Sequence, residues 1–207
     1  MVGLTTPRPH DLLFLARPLE VVPPDAPAWV AAALCAAPWV VVRRATAATG
    51  RVPVGVRGKT RTHRFAMEIP DTAASEALAP EDLTSRAASH SRSLPAVRAV
   101  QAVSALLDAT ALPWGPIGSV GFELASGTAT ANADSDLDLL IRPLRLPPLV
   151  ALANLYAEFL RLQVRVDCQI ETGAGAVALG ELVSGAGKVL LRTPTGPRLI
   201  DASLVTA

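Results

Sequence analysis

The sequence is poor in cysteine and close to neutral in net charge. Its two cysteines, Cys35 and Cys168, are too few for the disulfide framework of a small secreted protein, and their apolar neighbours predict two buried thiols. A formal net charge of +1 over 207 residues gives a nucleic-acid partner no general electrostatic support. Runs of about 18 uncharged apolar residues, which membrane spans need, are absent, and the first ten residues lack the apolar core of a signal peptide. We therefore expect a cytoplasmic protein that binds neither nucleic acid nor membrane.

Hydrophobic residues make up 50% of the chain, which is long enough for one large or two small domains. Strand-like and helix-like segments alternate, which predicts an α/β (α+β) fold. The polar stretch from Pro70 to Ser93 indicates a connector, so we predict an N-terminal α/β domain over residues 1–92 and a mixed-sheet domain with flanking helices over 93–207. Residues 1–100 carry twelve basic and eight acidic side chains, whereas the remainder carries seven and ten. A basic half beside an acidic half suits a polyphosphate substrate.

The main candidate site in the second half of the chain is built around two aspartates. Asp136 and Asp138 alternate with Leu137 and Leu139, which predicts a strand that sends both carboxylates to one face. Two like charges at this spacing repel each other unless a cation lies between them. The carboxylate pair therefore predicts a divalent metal site, and Mg²⁺, which accepts one or two carboxylates together with substrate phosphates, is the simplest candidate.

A glycine and a serine precede this strand. Gly118 and Ser119 begin a short helical or turn segment, where unhindered backbone N–H groups and a hydroxyl can bind phosphate oxygens. Phosphate binding on one side and a metal on the other is an arrangement typical of phosphoryl transfer. Capping of a turn accounts well for Asp134, which we leave outside the catalytic set.

The Gly-Ser pair followed by Asp136 and Asp138 resembles the signature of the nucleotidyltransferase superfamily, which includes DNA polymerase beta. That resemblance implies a third carboxylate on a neighbouring strand. Residues 164–171 alternate as a strand and supply Asp167, with Glu171 on the same predicted face as its competitor. The resemblance thus implies that Asp136, Asp138 and Asp167 are catalytic and hold Mg²⁺, while Gly118 and Ser119 bind the substrate phosphates.

A closer resemblance covers nearly the whole chain. It rests on four segments: residues 9–13, 38–44, 54–58 and 118–127. They are similar to the malonate decarboxylase holo-acyl-carrier-protein synthases, which are phosphoribosyl-dephospho-CoA transferases. The resemblance implies transfer of phosphoribosyl-dephospho-CoA from its triphosphate precursor, triphosphoribosyl-dephospho-CoA, to a serine of the apo acyl-carrier subunit, with release of diphosphate. Residues 1–92 would then bind substrate or carrier, and residues 93–207 would form the nucleotidyltransferase-like catalytic domain.

Basic residues in both halves are candidates for contacts with the substrate phosphates. If residues 57–63 form one strand, Arg57, Lys59, Arg61 and His63 line one face, and we assign Arg57 and Arg61 to phosphate binding. A solvated edge strand guarded by charge explains the same row equally well. Near the end of the chain, Lys188, Arg192 and Arg198 are further possible substrate contacts.

Two other functions stay open at this point. The chain could be a nucleotidyltransferase that uses another nucleoside triphosphate and a small-molecule or protein hydroxyl, and such an enzyme would accept ATP without any carrier protein. It could instead be a non-catalytic factor that binds or assembles the carrier, in which case replacing Asp136 by Asn would leave its function intact.

Overall fold

The structure, a computed structural model, describes residues 6–60 and 62–206, which divide into two units. The first unit comprises the chain up to Ala79 together with Ala125–Thr128, and the second comprises Pro80–Leu124 and the chain from Ala129 onward. This division falls earlier in the chain than the boundary at residue 92 that we expected. The reason is that the 3-10 turn Pro80–Leu83 packs against the strand Trp114–Pro116 of the second unit.

The first unit is built on a five-stranded antiparallel sheet. Its strands are β1 (Leu12–Leu15), β2 (Trp39–Val42), β3 (Arg51–Arg57), β4 (Arg64–Pro70) and β5 (Ala74–Leu78). Their order across the sheet is β4-β3-β2-β1-β5. The β-branched run from Trp39 to Val42 was predicted as a buried strand, and it forms β2 in the middle of this sheet.

Helix α1 (Ala28–Ala36) packs against this sheet. Val30 and Leu34, four residues apart on one helix face, are fully buried in the core of the unit. Cys35 follows one position later and faces outward, so the prediction of a buried thiol is wrong for this residue and confirmed for Cys168. Burial raises the pKa of the Cys168 thiol above its ordinary value.

The basic segment between β3 and β4 turns back on itself. β3 ends at Arg57 and β4 begins at Arg64, with these two residues paired across the hairpin. The N–H of Gly58 donates to the carbonyl of His63 at 2.8 Å, which closes the connection. The prediction of a continuous strand with four basic side chains in a row is therefore wrong. Arg61, one of the two predicted phosphate ligands in this segment, lies outside the described residues.

The second unit contains a six-stranded mixed sheet. Its strands are β6 (Trp114–Pro116), β7 (Leu137–Ile141), β8 (Val166–Thr172), β9 (Gly175–Ala178), β10 (Lys188–Thr193) and β11 (Gly196–Asp201). Their order is β11-β10-β9-β8-β7-β6. Only the neighbours β7 and β8 run parallel among these pairs of described strands. A parallel pair requires a crossover connection, and a helix supplies it here.

Among the described residues, five α-helices belong wholly or largely to the second unit. They are α2 (Pro95–Leu107), α3 (Gly118–Ser126), α4 (Leu149–Phe159), α5 (Leu179–Val183) and α6 (Ser203–Thr206). α4 connects β7 to β8, and α3 connects β6 to the loop that leads into β7. The predicted combination of helices and sheets in an α/β fold is confirmed. Over the described part of the chain, none of the helices combines the length and the apolar character that crossing a bilayer requires.

Candidate active site

The turn from β6 into α3 lies directly against Asp138 of β7. The N–H of Ile117 donates to the carbonyl of Asp138 at 2.9 Å, and β6 pairs antiparallel with β7 up to Pro116 and Leu139. Gly118 follows with a φ of +64°, a left-handed conformation that favours glycine. A Cβ atom at this position would overlap Oδ2 of Asp138. Only glycine therefore lets the backbone at the start of α3 approach this carboxylate so closely.

Asp138 and Asp167 lie side by side on the two parallel strands. They are register partners in the β7–β8 pair, and directly opposite residues of neighbouring strands share a face. Glu171 lies beyond Ile170, the last residue of β8 paired with β7, so it faces no residue of that strand. Asp136 precedes the first residue of β7 by one position. The structure thus brings Asp138 together with Asp167 rather than with Glu171.

Arg165 lies among these carboxylates. Its Nη2 donates to Oδ1 of Asp167 at 2.9 Å, and both side chains are largely exposed. The hydrogen bond and the charge of Asp167, together with the charges of Asp136 and Asp138, raise the pKa of the Arg165 guanidinium. The three predicted acidic residues therefore share one local environment, and Arg165 neutralises part of their charge.

The fit to a magnesium ion rests on the chemistry of these donors. Oxygen atoms of Asp138 and Asp167 on adjacent strands are ligands that Mg²⁺ prefers, and the ion needs only one or two carboxylates when water and phosphate complete its shell. Within residues 6–60 and 62–206, no three His, Cys, Asp or Glu side chains are gathered closely enough to hold a metal by themselves. The donor set suits an ion that also binds substrate, not a closed protein cage.

Glu123, on α3, is a residue of this region whose role the sequence did not reveal. Its carboxylate is completely buried, and it accepts hydrogen bonds from Arg92 Nη1 at 2.7 and 2.8 Å. The side chain of His90 lies 2.9 Å from the same carboxylate. The backbone N–H groups of Thr130 and Ala131 each donate to it at 2.8 Å. We call these five residues the Glu123 cluster.

The Glu123 cluster holds the loop that connects α3 to β7. Burial alone would raise the pKa of the Glu123 carboxyl, but the hydrogen bonds from Ala131, Thr130, His90 and Arg92 outweigh it, and the pKa is lowered. The charge is thus retained at neutral pH. Thr130 also donates its hydroxyl to the carbonyl of Ser119 at 2.9 Å, so the same loop is tied to the start of α3.

The sequence contained a weak signal for this cluster. Glu123 is the only charged residue in the apolar segment 117–125, and a lone acid at such a position needs a buried partner. Its cationic partners precede it by 31 and 33 residues, so their identity did not follow from local spacing.

Arg57 belongs to the other unit. It ends β3 and lies opposite Arg64, at the hairpin described above. Its assignment to phosphate binding stays a prediction.

Each of the two structural units matches a known protein family. Residues 8–80 match the family model "Phosphoribosyl-dephospho-CoA transferase MdcG N-terminal domain", and residues 78–203 match "Phosphoribosyl-dephospho-CoA transferase MdcG C-terminal domain". The change from one family model to the next falls where the two structural units divide. No solved structure matches the chain.

Similar proteins are found over nearly the full length of the chain. A phosphoribosyl-dephospho-CoA transferase of Pseudomonas aeruginosa is 45% identical over 195 residues, which are 94% of this chain and 92% of the relative. Proteins of the same name from Pseudomonas syringae pv. tomato and Azotobacter vinelandii are 42% and 41% identical, over 93% and 94% of this chain and 91% and 92% of the relatives. The family resemblance read from the sequence is confirmed: the chain belongs to the phosphoribosyl-dephospho-CoA transferase family and is a transferase enzyme.

Proposed function

We propose that this enzyme transfers phosphoribosyl-dephospho-CoA from triphosphoribosyl-dephospho-CoA to a serine of the apo acyl-carrier subunit of malonate decarboxylase. The observation that carries the proposal is the approach of Gly118 to Asp138, with Asp167 alongside, in a chain of this family. A backbone that can bind phosphate beside paired carboxylates is suited to phosphoryl transfer.

The reaction is a substitution at the α-phosphorus of the triphosphate. The serine oxygen of the carrier forms a bond to this phosphorus, and the bond from the phosphorus to the bridging oxygen of the diphosphate breaks. A carboxylate of the site accepts the serine proton, and we assign this role to the solvent-facing Asp167. Diphosphate is released, so the charges and atoms of precursor and carrier are all accounted for.

The residues of the chain contribute mainly by positioning. Gly118 and Ser119 bind the phosphates through backbone N–H groups and a hydroxyl at the beginning of α3. Asp138 and Asp167, with Asp136 nearby, would hold Mg²⁺ together with water and the substrate phosphates, and the bound ion would neutralise phosphate charge. Arg165 keeps Asp167 oriented through its ion pair. Alignment of the serine hydroxyl with the leaving diphosphate then lowers the barrier without any covalent enzyme intermediate.

A substrate comparison tests the proposal. The enzyme is mixed with Mg²⁺, apo carrier subunit and either triphosphoribosyl-dephospho-CoA or ATP, and the intact mass of the carrier is followed. We expect a mass gain equal to one phosphoribosyl-dephospho-CoA group with the first donor and none with ATP. Modification of the carrier by ATP, or of a small hydroxyl compound without carrier, would instead support a nucleotidyltransferase of different specificity.

A further inference from the structure

The sheet of the second unit has a gap beside the paired aspartates. β9 pairs with β8 only from Gln169 to Thr172, because β9 ends at Ala178 and the chain continues as α5. In the described part of the chain, the first three residues of β8, Val166 to Cys168, therefore have no strand partner on the β9 side. β10 pairs with β9 at Arg192 and Ala176 and continues on the far side of the gap.

A cavity of about 620 Å³ opens at this gap. This volume lies within the range of roughly 300–1,000 Å³ that is typical of small-molecule sites. Asp138 and Asp167 line it, so the cavity adjoins the candidate active site. Tyr156 of α4 contributes an aromatic ring, and Arg192 of β10 contributes a positively charged side chain. The lining thus combines an aromatic ring with a cation.

One guanidinium nitrogen of Arg192 lacks a hydrogen-bond acceptor in the described part of the chain. This atom, Nη1, is buried. A guanidinium stays charged in proteins, and a buried N–H without an acceptor costs free energy unless a ligand satisfies it. Two carboxylates of the cavity lining already have partners: Asp167 binds Arg165, and Oε2 of Glu181 accepts the N–H of Leu190 at 2.8 Å.

The acceptor that Arg192 lacks is supplied most simply by a phosphate oxygen. Guanidinium groups bind phosphates through short, charge-assisted hydrogen bonds. The β9 residue paired with Arg192 is Ala176, so the neighbouring side chain on this strand is small. The ring of Tyr156 in the same cavity suits a nucleoside. The cavity therefore fits a ligand that carries both a phosphate and a nucleoside.

We propose that this cavity binds the dephospho-CoA portion of the substrate, with Arg192 donating to an oxygen of its diphosphate and the nucleoside lying against Tyr156. The inference rests on the proposed function for the identity of the ligand. It adds a second anion site to that function, separate from the Gly118–Ser119 turn that holds the triphosphate. Arg192 is then a residue that determines specificity for a donor with a dephospho-CoA arm.

Calorimetric titration of the full-length enzyme with 3′-dephospho-CoA tests this site, because that compound has the diphosphate and the nucleoside but no triphosphate. We expect Arg192→Gln to weaken binding by about tenfold or more, as loss of a charged hydrogen bond does. Arg98→Gln is the control, since Arg98 is an exposed arginine on α2 that does not line the cavity, and it should leave affinity unchanged. Adenosine, which lacks phosphate, should bind both the wild type and Arg192→Gln equally.

Equal affinity of the wild type and Arg192→Gln for 3′-dephospho-CoA would overturn the proposal, as would failure of the wild type to bind it. Should Arg192→Gln not fold, Arg192→Lys carries the test, because it keeps the charge but loses the planar pair of donors. Reduced affinity of that variant is expected, and unchanged affinity would overturn the proposal. Carrier modification is measured separately. If an Arg192 variant binds 3′-dephospho-CoA and modifies the carrier as the wild type does, the Arg192 site is wrong and the proposed function is unaffected.

Discussion

Replacing Glu123 by Gln tests whether the Glu123 cluster anchors the loop before β7. The amide keeps the shape of the side chain but removes its charge and turns one acceptor oxygen into a donor. Whichever way the amide is oriented, it meets either the Arg92 and His90 side chains or the N–H groups of Thr130 and Ala131. Because the carboxylate is fully buried, water cannot replace the lost partner.

The expected cost follows from this geometry. Only the Glu123 side of this ion pair is fully buried, since the Arg92 side chain is 38% exposed. Leaving a buried polar group without its partner costs about 1–3 kcal/mol, and we expect a loss near the upper end of this range in the free energy of unfolding. The assay is urea denaturation at neutral pH, followed by circular dichroism. Glu181→Gln serves as the control, since Glu181 is only partly buried and accepts a single backbone N–H, so about 1 kcal/mol should be lost. A loss below 1 kcal/mol for Glu123→Gln would refute the anchoring role.

The same carboxylate predicts a pH dependence. Its pKa is lower in the folded protein than the ordinary value of 4.5, so the folded state favours the charged form. This contribution to stability is complete above pH 4.5 and is lost as the pH falls through the lower pKa of the folded state. Denaturation curves between neutral and acidic pH should therefore converge for the wild type and Glu123→Gln at the acidic end. If the difference in unfolding free energy between the two proteins stayed constant over this pH range, the lowered pKa of Glu123 would be contradicted.

Two further substitutions address the site itself. Gly118→Ala should reduce transfer activity by at least tenfold with the fold intact, because the new methyl group collides with the Asp138 carboxylate and the left-handed backbone disfavours alanine. Wild-type turnover in this variant would contradict the close approach of Gly118 to Asp138. Asp167→Asn should lower turnover much more than Glu171→Gln, because of these two residues Asp167 is the one paired with β7. A larger loss of turnover for Glu171→Gln would show that Glu171 is the third carboxylate.

Local patterns in the sequence were sufficient to predict the strands that carry Asp138 and Asp167. Alternation around Asp138 and Asp167 predicted β7 and β8, and a helix of suitable length between them permitted neighbouring parallel strands. The choice between Asp167 and Glu171 needed the register of the two strands, because both residues lie on the same predicted face. Alternation alone does not determine register.

Contacts between distant segments and reversals of the chain explain what the sequence did not predict. The alternating basic residues after Arg57 suggested a strand, but Gly58 and His63 close a turn within that segment. The partners of Glu123 come from before α2 and from the loop after α3, and no local pattern connects them. Such contacts depend on tertiary packing, which overrides the short-range period of the side chains.

The proposed function requires the paired aspartates to catalyse transfer of one prosthetic group to one carrier serine. The most direct measurement counts diphosphate released and carrier modified in the same reaction of triphosphoribosyl-dephospho-CoA with the apo carrier subunit, for the wild type and for Asp138→Asn. We expect one diphosphate per modified carrier and a loss of at least a hundredfold in rate for the variant, because the substitution removes a charged group that stabilises the transition state. Modification without diphosphate release, or an Asp138→Asn enzyme with wild-type turnover, would contradict the proposed function.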